Sequence, residues 1–287
     1  MTGTDHGLES GVDHALIDRA LGEDVGGGDL TASIISAATT ATARLSTRES
    51  FVLCGRDWFD AVFQRLDPEV VIDWSFDDGS GVSAGSELCL VRGRARALLT
   101  AERTALNFLQ TLSGTATRAR RYADAVRGTR TTVLDTRKTI PCLRMAQKYA
   151  VRCGGCSNHR IGLYDGILIK ENHIAAAGSI RKAVEAARSL QVDVLIEVEV
   201  ESLDELRQAL DCGVERILLD NFSLDGIRGA VGLAAGRAAL EVSGNVSLET
   251  IRTFAEAGVD YISVGDLTKN LQAIDLSFRI DLDRQLP

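Results

Sequence analysis

From residue 194 onward, four short apolar runs return about every 22 residues: VLIEVEV (194–200), RILLD (216–220), ALEVSG (239–244) and YISVG (261–265). The connecting segments SIRKAVEAARSL, SLDELRQALDCG and SLETIRTFAEAG carry helical spacing, with Ser caps at the start of two and Gly at the end of two. Strand and helix alternating at this period are βα units. Their regular recurrence favours a parallel barrel, or a barrel-like sheet, over a doubly wound one. TTVLDT (131–136) and GILIK (166–170) bring the strands to six. A complete barrel of this kind needs eight, so an incomplete β/α barrel is expected.

The first half reads differently. DHALIDRALG (13–22) has the spacing of a short amphipathic helix, and EDVGGGDLT after it reads as a Gly/Asp loop. That loop lacks the lysine of a phosphate-binding loop and the spacing of a dinucleotide fingerprint. TATARLSTR and ELCLVRGRARALLT contain alternating, strand-like stretches. DWFDAVFQRLD between them is helical, with Trp58, Val62 and Leu66 four apart. Residues 101–126 read as helix with an interruption at Gly114, and the domain change is placed there.

The net charge of −8 sets a field that repels nucleic acid and anionic membrane, while leaving room for a local basic cleft. No apolar run reaches 18 residues, and the first twenty residues show no basic start followed by an apolar core. A cytoplasmic protein is the expectation. Six cysteines are too scattered for a disulfide scaffold, and Cys54, Cys89 and Cys212 read as small buried hydrophobes. Cys153 and Cys156 form a C-x-x-C with His159 three residues on. A metal-binding or redox protein built on Cys142, Cys153, Cys156 and His159 therefore stays open, although no second C-x-x-C completes a zinc set.

In a β/α barrel the working face lies at the C-terminal ends of the strands. Here those ends read Arg137 and Lys138, Lys170, Glu199, Asp220, Ser243 and Gly244, and Gly265. Lys170, Glu199 and Asp220 close runs too apolar to be surface strands. Arg137, Lys138, His159, Arg160 and Lys170 form an early basic group suited to carboxylates or phosphates. Glu199 and Asp220 form a later acidic pair. Facing a polyanion, such a pair points to a hard divalent ion, most often Mg²⁺ shared with phosphates, or to ribose hydroxyls. VSGN and VGD offer backbone N–H groups to a phosphate. The expected ligands are an acidic organic molecule at one end and a phosphorylated sugar at the other.

The extended motifs LLTAERTALNFLQTLSG, LDTRKTIPCLRMAQKYAVRCGG, SNHRIGL, LIKENH, IEVEV, LLDNF, EVSGN and YISVGDLTK, in this order, resemble the decarboxylating quinolinate phosphoribosyltransferases, as does LGEDVGGGDLT near the start. The resemblance implies an α/β fold. An N-terminal α/β sandwich-like domain (1–115, joined by 270–287) precedes an incomplete parallel β/α barrel (116–269) that carries most of the active site. It implies transfer of phosphoribosyl from 5-phosphoribosyl 1-pyrophosphate to the ring nitrogen of quinolinate, giving nicotinate mononucleotide, pyrophosphate and CO₂ for NAD biosynthesis. By the same resemblance, Arg137, His159, Arg160 and Lys170 hold the quinolinate carboxylates. Arg103 is donated across a homodimer interface, and Lys138 stands near the phosphoribosyl donor. Glu199 and Asp220 surround its ribose and Mg²⁺, Ser243, Gly244 and Gly265 bind phosphate, and Lys269 approaches it. Lys170 and the neighbouring acids are all candidates for returning a proton to C2. A related phosphoribosyltransferase-like protein of molybdenum utilisation remains the alternative, and the complete basic set argues for the dicarboxylate. Three residues depart from the family pattern: Cys142 and Cys156 stand where Gly is usual, and Asp266 where Ala is usual, which puts a negative charge by a phosphate loop.

Overall fold

A computed structural model describes residues 10–282 of the chain. Two compact units emerge. Among the described residues, one comprises 10–120, 140–155 and 270–282, and the other 121–139 and 156–269. The segments 1–9 and 283–287 of the expected first domain lie outside the described residues. The boundary expected at 115/116 falls inside a helix, and residues 116–120 and 140–155 cluster with the first unit.

The first unit is built on β1 (Thr40–Thr47), β3 (Val71–Trp74), β5 (Glu87–Arg94) and β12 (Leu276–Leu282), in the order β12-β1-β5-β3. All neighbours are antiparallel, and the C-terminal strand pairs along β1 from Ala41↔Leu282 to Thr47↔Leu276. The short β2 (Phe51–Val52) and β4 (Gly81–Val82) form a separate pair. Along β1, Ala41, Ala43 and Leu45 are buried while Thr40 and Arg44 are exposed, the alternation of a sheet with one covered face. Helices α1 (His14–Val25), α2 (Arg56–Leu66), α3 (Ala95–Ala125) and α4 (Arg144–Cys153) belong to this half of the chain. Trp58, Phe59 and Phe63 of α2 share the core with Leu98, Leu109 and Leu112 of α3. Each such side chain contributes about 2 kcal/mol on burial.

Three local expectations change. The first helix runs through Gly22 to Val25, so part of the expected loop is helical, and Asp13 caps it by accepting from Leu16 N–H. The stretch ARALLT is the start of α3, not strand. Gly114 does not interrupt α3. A Cβ there would stand 2.2 Å from the Gln272 carbonyl oxygen, so the glycine permits a close approach of the returning C-terminal chain.

Cys142 occupies the third position of a turn closed by Leu143 N–H donating to Ile140 O at 3.1 Å, with Pro141 before it. Its φ is 66°, the left-handed value that a Pro-x turn of this kind asks of glycine. A side chain there costs about 1 kcal/mol. In CGGC the positive φ falls on Gly155 (93°) rather than on Cys156, which is buried. Gly154 is needed for another reason, since a Cβ would stand 2.4 Å from Ala116 O and Ala119 Cβ.

The second unit holds a six-stranded parallel sheet: β6 (Thr132–Leu134), β7 (Ile167–Ile169), β8 (Ile196–Val200), β9 (Arg216–Asp220), β10 (Ala239–Ser243) and β11 (Tyr261–Ser263). The order β6-β11-β10-β9-β8-β7 is that of an incomplete β/α barrel, with β6 and β7 as its edges. Ser157 adds one parallel bridge to Leu134 at the β6 edge. Between strands run α5 (Glu171–Ala177), α6 (Ile180–Ser189), α7 (Leu203–Asp211), α8 (Leu224–Ala234), α9 (Ile251–Glu256) and the short α10 (Asp266–Lys269). Ser179 and Ser202 cap α6 and α7 by accepting from Lys182 and Glu205 N–H. The third Ser does not, because SLET folds as a turn and α9 starts only at Ile251. Ile180, Ala183, Val184 and Ala187 put the buried stripe of α6 at helical spacing. No helix among the described residues is long and apolar enough to cross a membrane.

Candidate active site

Parallel register fixes which side chains share the inner face. Leu168, Glu197, Arg216 and Ala239 pair in succession, and so do Glu199, Leu218, Glu241 and Tyr261, with Asp220↔Ser243 beyond them. Side chains alternate along a strand, so Glu197 and Glu199 face one way while Ile196, Val198 and Val200 face the helices. A barrel interior is usually packed with branched aliphatics. This one carries Glu197, Glu199, Arg216, Asp220, Glu241 and Ser243.

At the strand ends, Lys170 Nζ forms an ion pair with Glu199 Oε2. The Glu199 side chain is only 10% exposed. Burial raises its pKa, Lys170 opposes that, and the charges of Asp220 and Glu171 add to it. Asp220 stands one register step further, with Asn221 Nδ2 donating to its Oδ2 at 2.8 Å.

The basic side is organised by Asp135, which follows β6 and is fully buried. Its Oδ1 accepts the His159 N–H at 2.9 Å and its Oδ2 accepts from Asn158 Nδ2 at 2.6 Å. Ser157 hydrogen-bonds Val133 and Asp135 through its backbone, so the SNHR segment is laid along the β6 edge. Arg160 NH1 donates to Gly166 O at 3.0 Å. Burial lowers the Arg160 pKa, and the Arg137 charge beside it lowers it further. The two guanidiniums therefore form a concentrated positive field. Asp135→Ala would remove the buried acceptor of the Asn158 amide and the His159 N–H. We expect a loss of about 2–4 kcal/mol in chemical denaturation, and a loss under 1 kcal/mol would contradict this role.

Beneath this shell lies a buried acidic floor. His159 Nδ1 accepts the Arg160 N–H at 2.7 Å, so the ring proton sits on Nε2. Nε2 faces Glu197 Oε2 at 3.0 Å and Glu241 Oε1 at 3.6 Å, with Arg216 NH1 3.7 Å from Glu241 Oε2. Glu197 Oε1 and both Glu241 carboxyl oxygens are buried without a hydrogen-bond partner among the described residues. Burial pushes Glu241 up to about 8, aided by the Glu197 charge, and burial pushes Glu197 up to about 6. The folded protein thus retains a proton on Glu241 that the unfolded chain releases above 4.5. Stability from this group is present below that value and is lost as pH rises towards 8, with a slope of at most about 1.4 kcal/mol per pH unit. Denaturation curves taken from pH 5 to 8 should flatten in Glu241→Gln, and an unchanged slope would show that another group is responsible.

The late loops knit together through small residues. Gly244 has φ 89°, and a Cβ there would meet Asn221 Oδ1 at 2.2 Å. Asn221 N–H donates to Ser243 O at 3.0 Å, and Asn245 Nδ2 to Asn221 Oδ1 at 3.3 Å. Gly265 likewise lets the Lys138 side chain cross it, since a Cβ would lie 2.8 Å from Lys138 Cδ. Thr268 Oγ1 donates to Lys138 O at 2.9 Å. The exposed Lys269 ends α10, with its N–H on Gly265 O. Asp266, the expected intruder, accepts from the Tyr122 hydroxyl at 2.9 Å.

Of the sequence-derived residues, Arg137, Lys138, His159, Arg160, Lys170, Glu199, Asp220, Ser243, Gly244, Gly265 and Lys269 all belong to this unit, at or beside the strand ends. Arg103 is exposed on α3, in the other unit. The C-x-x-C is divided, with Cys153 clustering in the first unit and Cys156 in the second. Sequence reasoning missed Asp135, Glu197, Asn221 and Glu241. The alternation in IEVEV and ALEVS was the signal for the two glutamates, because it sets them two residues before Glu199 and Ser243 on the same face. Two side-chain groups have ligand atoms within 4.8 Å of one another and could hold a divalent cation: His159, Glu197 and Glu241, and Cys54, Asp78 and Cys153. Glu199 and Asp220 fit a hard cation by another criterion. They are oxygen donors at adjacent strand ends, and the Asp220 charge raises the Glu199 pKa.

Comparison with known proteins agrees along nearly the whole chain. The family models "Quinolinate phosphoribosyl transferase, N-terminal domain" and "Quinolinate phosphoribosyl transferase, C-terminal domain" match residues 29–113 and 115–279. The nicotinate-nucleotide pyrophosphorylase (carboxylating) of Mycobacterium leprae (strain TN) is 43% identical over 270 residues, covering 91% of this chain and 94% of that protein. The probable enzyme of the same name from Bacillus subtilis (strain 168) is 38% identical over 271 residues, 94% of each. The solved structure of the nicotinate-nucleotide pyrophosphorylase from Francisella tularensis superposes with a TM-score of 0.93 at 46% identity, covering 97% of this chain and 100% of that one.

Proposed function

The chain belongs to the quinolinate phosphoribosyltransferase family, and on that premise we propose how its strand-end cluster performs the family's reaction. The enzyme transfers phosphoribosyl from 5-phosphoribosyl 1-pyrophosphate to the ring nitrogen of quinolinate, with decarboxylation to nicotinate mononucleotide, pyrophosphate and CO₂. The observation that carries the assignment of the site is the Arg137–Arg160 pair: burial lowers the Arg160 pKa, and the Arg137 charge lowers it further. Such a field suits a rigid dicarboxylate, and guanidiniums can grip it bidentately. His159 and Lys170 complete the grip. Lys170 keeps two N–H groups beyond the one directed at Glu199.

The pyridine nitrogen is itself the nucleophile, so no protein nucleophile is needed. The protein orients it towards C1 of the ribose. As pyrophosphate leaves, C1 becomes oxocarbenium-like, and the Glu199 and Asp220 carboxylates favour that positive charge. Glu199 and Asp220 would hold Mg²⁺, which would supply neutralisation of the donor's phosphate charge. The Lys138 side chain crosses Gly265, and it would bind the donor's phosphate together with the N–H groups of the Ser243–Gly244 and Gly265 loops. Lys269 adds charge nearby. After transfer the ring nitrogen is cationic and stabilises the carbanion that loss of CO₂ leaves at C2, and Lys170 is the proposed source of the C2 proton. The enzyme works as a homodimer, with Arg103 reaching the partner's quinolinate. Six scattered cysteines, too dispersed for a disulfide scaffold, suit the reducing cytoplasm, where we place it. Calorimetric titration with quinolinate tests the site. Arg137→Ala should weaken binding at least about a hundredfold. Unchanged affinity would contradict the assignment.

A further inference from the structure

A group that the transfer chemistry leaves unused lies in the first unit. Cys54 follows β2, Asp78 lies in the turn before β4, and Cys153 is the last residue of α4; their Sγ and carboxylate atoms all lie within 4.8 Å of one another. Asp78 is already committed. Its carboxylate accepts the Gly55 N–H at 3.1 Å, the Arg56 N–H at 3.3 Å and the Tyr149 hydroxyl at 3.2 Å, holding the start of α2. A metal bound there would compete with all three, which leaves the two sulfurs as the reactive part. Both are carried on anchored backbone. Cys54 N–H donates to Ser113 Oγ at 3.0 Å, and the chain just after Cys153 is held by Arg120 Nε on Gly154 O at 2.9 Å. Cys54 is fully buried, whereas Cys153 is partly exposed.

We propose that Cys54 and Cys153 are a peroxide-sensitive thiol pair that closes to an intramolecular disulfide. Cys153, the accessible sulfur, attacks one oxygen of a hydroperoxide such as H₂O₂. An S–O bond forms, the O–O bond breaks, and the departing hydroxide takes up the proton lost by the Cys153 thiol to give water. The Cys54 sulfur then attacks the sulfenic sulfur of Cys153. The S–S bond forms, the S–O bond breaks, and the hydroxyl leaves with the Cys54 proton as a second water. Two thiols are oxidised by two electrons and one peroxide is reduced; a dithiol reverses the change. The local chemistry favours this order. The Cys54 thiol, donating to the Cys153 sulfur, draws the Cys153 pKa below the ordinary thiol value, with Tyr149 and Arg152 assisting against burial and the Asp78 charge. Burial raises Cys54, so it serves as the resolving thiol and not as the first to react.

The test uses the full-length protein, treated with a small excess of H₂O₂, quenched by alkylation and mapped by mass spectrometry. The expected product is about 2 Da lighter than the reduced chain. Two of the six thiols should escape alkylation, a linked peptide should join Cys54 to Cys153, and dithiothreitol should restore both. Cys54→Ser, checked for folding by circular dichroism, should stop at a dimedone-reactive sulfenic acid on Cys153. Full alkylation of the treated protein would overturn the proposal. So would a linked peptide joining Cys153 to Cys156, or stoichiometric zinc that must be chelated before any thiol reacts.

Discussion

Replacing Lys170 by alanine is expected to lower kcat/KM for quinolinate by about a thousandfold, equivalent to about 4 kcal/mol of transition-state stabilisation. Two effects combine. The dicarboxylate loses an ammonium partner at the site where Arg137 and Arg160 already concentrate positive charge. Glu199, whose pKa burial already raises, also loses the cation that opposes that rise. A carboxylate less readily held as the anion favours positive charge at C1 less. Folding should be nearly untouched, because the Lys170 side chain is 41% exposed and solvent screens its ion pair, so its loss costs about 1 kcal/mol at most. Lys170→Arg keeps the charge and should recover part of quinolinate binding. If Lys170→Ala left both kcat and KM within about threefold of the parent, the lysine would have no place in the site.

Arg103→Ala alone should be as inactive as Lys170→Ala, and mixing the two variants under conditions that exchange subunits should restore about a quarter of the parent activity. The fraction follows from two-fold symmetry. In a heterodimer, one site joins the intact Lys170 of one chain to the intact Arg103 of the other, while the second site carries both substitutions. Random exchange makes about half of the dimers hybrid, each with one working site of two. Arg103 is exposed on α3. Hybrid dimers detected by native mass spectrometry but inactive would place Arg103 outside the partner's site.

The barrel was legible because its six strands are short apolar runs at regular spacing, closed by polar residues that an inner face had to gather. Lys170, Glu199 and Asp220 showed themselves by ending strands too apolar to be solvated. Glu197 and Glu241 were harder to find. Alternation sets each on the face of a strand-end residue, but that this face looks inward follows from register, a property of pairing. Gly114 was misread for a related reason. As a local signal it weakens a helix, whereas its use is to admit the Gln272 carbonyl from far along the chain. Cys54 and Cys153 meet across 99 positions, so nothing in the spacing of CGGC could point to Cys54.

The central claim is that this strand-end site couples phosphoribosyl transfer on quinolinate to loss of its 2-carboxylate. The direct measurement incubates the enzyme with quinolinate, 5-phosphoribosyl 1-pyrophosphate and Mg²⁺, and counts pyrophosphate, CO₂ and nicotinate mononucleotide in the same sample, with nicotinate as the parallel substrate. The account predicts the three products in equal amounts from quinolinate and none from nicotinate under the same conditions. Pyrophosphate without CO₂, or transfer to nicotinate at a comparable rate, would contradict it.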